Sequence, residues 1–118
     1  MIAHVVLFQP RADLPDRERV HFLDSLALAA TQIPSIRRFQ VGRRVRHGLP
    51  GYEQAMAEAF DYAAIAEFDD LEGLKSYLSH PAHHAIGRHF AAWAARALAY
   101  DFDMVAATAA GRLTQEEA

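Results

Sequence analysis

Residues 2–8 read Ile-Ala-His-Val-Val-Leu-Phe. As a strand they place Ile2, His4, Val6 and Phe8 on one face and Ala3, Val5 and Leu7 on the other. Both faces are apolar except at His4, and a strand of that kind has to be covered on both sides. Pro10, which has no N–H to give a ladder, marks its end. The last strand-like segment, residues 98–105, is apolar in the same way, with Leu98, Tyr100, Phe102 and Met104 alternating.

Between these two lie the remaining elements. Residues 11–34 predict a helix with Asp13, Asp16 and Glu18 near its start, where the helix dipole favours acids. Val20, Leu23, Ala27 and Ala30 recur at helical spacing and predict its buried stripe. Residues 35–45 read as a second strand, with Phe39 and Val41 on one face. Gly48, Pro50 and Gly51 punctuate a long 46–61 connection whose second half allows a short helix. A connection of that length is often functional or mobile. "YAAIAEF" is a third strand. "DDLEGLKSYLS" predicts a short helix capped by Asp69 or Asp70, with Leu71, Leu74 and Leu78 inward. Pro81 opens a longer helix to residue 97, with Ile86, Phe90, Trp93 and Ala97 as its stripe.

The order is β-α-β-β-α-β, the split βαβ arrangement. The expected fold is α+β and ferredoxin-like: a four-stranded antiparallel sheet with helices on one face. The helices can cover only one face of the sheet. The other exposes a large apolar patch, which predicts a homodimer through the open sheet face. Residues 1–105 form the expected domain and 106–118 a C-terminal tail.

Composition narrows the function. The chain has 118 residues and a formal net charge of −3, which disfavours nucleic acid as a partner. It contains no cysteine, so thiolate chemistry and Cys-ligated zinc are excluded. No apolar run reaches the length of a membrane span. The N-terminus lacks a signal-peptide pattern, so the expected location is cytoplasmic. Arg37, Arg38, Arg43, Arg44 and Arg46 cluster on and after the second strand; they read as a solvated or salt-bridged sheet edge rather than an anion site.

Four of the seven histidines fall within "SYLSHPAHHAIGRHF". His83 lies three residues before Ile86 and seven before Phe90, on the buried stripe. With Tyr77 from the preceding helix and His4 from the first strand, it can line an apolar pocket with three polar tips. Phe8, Phe68, Ile86, Phe90 and Trp93 are the expected pocket walls. Neutral imidazole can take a proton near pH 7, and a tyrosine hydroxyl can donate to an oxygen where charge develops. The set suits removal of a proton next to a carbonyl.

Blander roles stand beside this. His4 can be a core histidine, His83 a polar residue of a first helical turn, and Tyr77 plain packing. His80 fits the N-cap before Pro81; His84 and Arg88 fall on the solvent side and His89 at its margin. His80 and His83 form only an HxxH pair with no carboxylate at metal-ligand spacing, so no metal and no cofactor is expected.

"HVVLF", "IRRFQVGRRV", "YAAIAEFDDLEGLKSYLSHPAHHAI" and "YDFD" together resemble the stress-responsive α/β-barrel family, often called Dabb domains, over residues 2–103. The most specific element is Tyr77 to His83, Y-x-x-HPAH. The resemblance implies a ferredoxin-like fold that dimerises sheet on sheet into a dimeric α/β barrel. It also implies catalytic roles for His83, Tyr77 and His4, the positions that plant polyketide cyclases of the family use for aldol ring closure. Those cyclases carry a further histidine on the third strand, where this chain has Ala64. Three classes follow. The protein is a stress-associated domain with a small-molecule pocket, a cofactor-independent cyclase, lyase or isomerase, or a structural or metal-stabilised dimer.

Overall fold

The structure is a computed structural model that describes residues 1–115. The elements are β1 (Ile2–Pro10), α1 (Asp16–Gln32), β2 (Arg38–Arg43), β3 (Tyr62–Phe68), α2 (Leu71–Ser79), α3 (Pro81–Trp93) and β4 (Ala94–Asp103). A single 3₁₀ turn at Glu53–Ala55 interrupts the long β2–β3 connection. Another at Ala107–Ala109 and a short α4 (Arg112–Gln115) follow β4. Residues 116–118 of the expected tail lie outside the described residues.

The sheet order is β2-β3-β1-β4, antiparallel throughout. β1 is central, which accounts for its two apolar faces. Its register pairs His4 with Ala66 on one side and with Asp101 on the other. Directly paired residues share a face. The helix side therefore carries His4, Val6, Phe8, Ala64, Ala66, Phe39, Ala99 and Asp101. The outer side carries Val5, Leu7, Ile65, Leu98, Tyr100 and Phe102.

The core lies between the helices and the sheet, around Phe8, Phe22, Leu26, Ala29, Ile33, Phe68, Leu74, Tyr77, Ile86 and Trp93. Among the described residues no helix covers the outer face. Leu7, Ile65, Leu98, Tyr100 and Phe102 are exposed there.

Three helices differ from expectation. In α2, Leu71, expected inward, is exposed, and Tyr77 is buried beside Leu74. In α1 the buried row is Phe22, Leu26 and Ala29, continued by Ile33 beyond the helix, whereas Val20 and Leu23 are exposed. Both rows have helical spacing, but Phe22, Leu26 and Ile33 bury more apolar area than Val20, Leu23 and two alanines. α3 ends at Trp93, and Ala97 belongs to β4. Residues 94–97 are alanine-rich and would suit a helix, but they pair with Phe8 to Pro10 of β1. The hydrogen-bonded ladder overrides local propensity there.

The caps follow the sequence more closely. Asp70 Oδ1 accepts the Gly73 N–H at 2.9 Å and starts α2. His80 Nδ1 accepts the Ala82 N–H at 3.0 Å, with Pro81 at the first helical position of α3. The 46–61 connection turns at Gly48 (φ 76°) and Gly51 (φ 87°), a backbone region costly for other residues. It is tied to the sheet end by Asp61, which accepts from Gln9 Nε2 at 3.0 Å and Arg46 at 2.9 Å. Arg37 pairs with Asp69 at 2.6 Å and Arg38 with Glu67 at 4.0 Å, in keeping with a salt-bridged edge. Among the described residues no helix is long and apolar enough to cross a membrane.

Candidate active site

The helices leave a cavity of about 280 Å³ against the sheet. His4, Val6 and Phe8 of β1, Phe39 of β2, Ala64 of β3 and Ala99 of β4 form its floor. Phe22, Leu26, Tyr77, Leu78, His83, Ile86, Gly87 and Phe90 form its roof. An apolar cavity of about 150 Å³ accepts benzene, so this one has room for a molecule of roughly two rings.

The structure brings His4, Tyr77 and His83 together at one end. The Tyr77 ring lies between the two imidazoles, with centroids 5.6 Å from His4 and 4.7 Å from His83. Tyr77 is positioned by the last turn of α2. Its ring is clamped by Phe68 at 5.2 Å and Phe39 at 6.2 Å. His83 is positioned by Pro81 and the His80 cap, which fix the first turn of α3.

Phe8, Ile86 and Phe90 line the cavity, as the sequence predicts. Phe68 and Trp93 do not. Phe68 is wholly buried beneath α2 and supports Tyr77 from behind. Trp93 sits a turn further along α3, edge-on to Phe22 at 5.0 Å, beside a separate small hollow. His84, Arg88 and His89 are exposed.

One polar partner escapes a reading of the sequence. Asp101 Oδ1 lies 2.6 Å from His4 Nδ1. A carboxylate only accepts, so His4 Nδ1 carries the proton and its Nε2 is left as the acceptor nitrogen. The signal lay in the β4 alternation, where Ala99 and Asp101 fall on the face opposite Leu98 and Tyr100. Its use required the β1–β4 register.

The electrostatics divide the polar end. Burial, and then the negative charge of Asp101, push the Tyr77 hydroxyl up to about 12. It therefore stays a hydrogen-bond donor at any physiological pH. Burial, and then the neighbouring His4, hold the His83 imidazole below its usual value, while the Leu78 carbonyl pulls weakly the other way. His83 is thus neutral near pH 7 and able to take a proton. Its Nδ1 is buried without a hydrogen-bond partner meeting normal geometry. Among the described residues no three His, Cys, Asp or Glu side chains form a set able to hold a metal.

The described cavity wall contains no lysine or arginine. A carboxylate or phosphate would find no counter-charge inside. The arrangement suits an uncharged ligand with one oxygenated end.

Comparison with known proteins follows the same lines. The family model of the stress responsive A/B barrel domain matches residues 2–104. No curated protein matches the chain. A dimeric Bacteroides fragilis protein of unknown function and ferredoxin-like fold is 29% identical, over 87% of this chain and 95% of that one, with a TM-score of 0.63. A Dabb-family protein with a ferredoxin-like fold from Mesorhizobium loti is 20% identical over 89% and 97%, with a TM-score of 0.68. A hydroxynitrile lyase from Passiflora edulis shares the fold at a TM-score of 0.75, with 10% identity over 88% and 93%.

Proposed function

The chain belongs to the stress responsive A/B barrel domain family, and we propose that it is a homodimer whose protomers each bind a small uncharged carbonyl compound and remove a proton next to the carbonyl. The reaction class is that of a cofactor-independent cyclase, lyase or isomerase. The observation that carries this reading is Tyr77 held between His83 and the His4–Asp101 pair at the polar end of an otherwise apolar cavity.

The roles follow from the geometry. His83, neutral by burial, takes the proton from the carbon next to the carbonyl. Tyr77 donates a hydrogen bond to the carbonyl oxygen as it becomes an enolate. His4, its tautomer fixed by Asp101, presents Nε2 as an acceptor for a hydroxyl of the ligand. The electron pair left on carbon then has three fates. It attacks a second carbonyl and closes a ring, it expels a leaving group, or it is reprotonated by His83 at another carbon. Ala64, where the family's plant cyclases have a histidine, leaves one fewer proton carrier on the floor. That favours a reaction needing a single base.

The dimer reading rests on the outer sheet face, which no element of the protomer covers, and on the Bacteroides fragilis relative being dimeric. Exchange of the α-protons of uncharged ketones and β-diketones for deuterium, with and without His83, tests the catalytic reading. Binding without exchange would leave a ligand-binding domain and overturn catalysis.

A further inference from the structure

Of the fourteen residues that line the cavity, two are exposed to solvent: Gly87 on α3 and Ala99 on β4. They belong to different elements, and β4 is an edge strand. The exposed part of the cavity wall is thus on the α3 and β4 sides, and there the two residues have almost no side chain.

Gly87 is costly where it stands. It lies in the interior of a thirteen-residue helix, and glycine is among the poorest helix formers. Close packing does not require it, because a Cβ built there meets nothing within 4 Å. Its backbone does not require it either, since it has no positive φ. Position 87 is four residues after His83 and three before Phe90, so a side chain there would stand in the same row over the cavity. The missing side chain is accounted for by what it leaves open.

We propose that the gap between Gly87 and Ala99 is the entrance by which ligand reaches Tyr77 and His83, and that Gly87 sets the width of the ligand admitted. A slot bounded by one glycine and one alanine admits a flat or narrow carbonyl compound and turns away a branched one. This rests on the cavity being the ligand site, but its test needs no turnover.

The chain has no cysteine, so one introduced thiol is an unambiguous reporter. Ala64→Cys places it on the cavity floor, and Val6→Cys is a second reporter if the first variant does not fold. Each is treated with methyl methanethiosulfonate and with benzyl methanethiosulfonate, and labelling rates are read by mass spectrometry. Both reagents should label the otherwise wild-type background. Adding Gly87→Leu should slow the benzyl reagent at least tenfold and the methyl reagent no more than about twofold. Ala99→Leu, from the opposite rim, should do the same. Gly87→Ala should raise Tm by a few degrees. A reporter that reacts with neither reagent, or benzyl rates unchanged by Gly87→Leu, would overturn the entrance. Equal slowing of both reagents would overturn its selectivity for width. A protein that admits the reagents and binds the ketones yet shows no proton exchange would refute the catalytic reading and leave the entrance standing.

Discussion

His4 Nδ1 lies 2.6 Å from Asp101 Oδ1, across the β1–β4 ladder and 97 residues apart in sequence. The pair fixes which nitrogen of His4 is free to act in the cavity, and its negative end faces Tyr77. The Asp101 side chain is 42% exposed, so the bond adds little to stability and its effect falls on the site.

Asp101→Asn should therefore cost below about 1 kcal/mol of stability. It should slow proton exchange by about tenfold to a hundredfold, at or below the low end of what a positioned acid–base group contributes. The Tyr77 hydroxyl should titrate somewhat lower, because the charge that raises it is gone. Urea unfolding, exchange rates and ultraviolet titration read the three effects separately.

Tyr77→Phe keeps the ring between Phe39, Phe68 and the imidazoles and removes only the hydroxyl. Tm should stay within a few degrees of wild type. Exchange should fall by about a hundredfold or more, the loss seen when a donor to a developing oxyanion is removed. Thermal melts paired with exchange rates check this; a large fall in Tm would mark the hydroxyl as structural.

His83 gives a pH dependence of definite sign. Its folded value lies below its unfolded value of about 6.5. The unfolded chain therefore binds the proton first, and the stability due to His83 is present above pH 6.5 and lost as pH falls through the folded value. Exchange activity should fall over the same acid range, as the base is protonated. Tyr77, raised to about 12, should add no alkaline limb below about pH 10. In His83→Gln exchange should fall to the buffer rate at every pH, and unfolding of the variant should lose the part of the acid dependence that His83 contributes.

Tyr100→Glu together with Leu98→Asp places two carboxylates on the outer sheet face. Burying unpaired charge is costly, so the protein should sediment as a monomer at micromolar concentration where the wild type is a dimer. A wild type that is itself monomeric would refute the barrel.

Much of this was legible in the sequence, and the rest failed for identifiable reasons. The ferredoxin-like arrangement followed from the order of the elements, and the uncovered face from the two-sided apolar pattern of residues 2–8 and 98–105. His83 and Tyr77 could be aimed because Pro81 and His80 fix the turn between their helices. Asp101 could not be paired with His4, because strand register is a long-range property that one sequence does not carry. Phe68 and Trp93 were expected on the cavity wall. Whether an aromatic lines a cavity or backs it depends on packing depth, which periodicity does not encode. The α1 row was misjudged because two rows had equal spacing and only buried area chose between them. In residues 94–97 local propensity pointed to helix, and pairing with β1 made them strand.

The measurement closest to the central claim is α-proton exchange by NMR. Uncharged ketones and β-diketones are incubated in deuterated buffer at pH 7 with wild type, with His83→Ala and with no protein. Exchange above buffer that is present in the wild type and lost in a folded His83→Ala is the predicted result. Exchange no faster than buffer with the wild type, across ketones shown to bind, would contradict it.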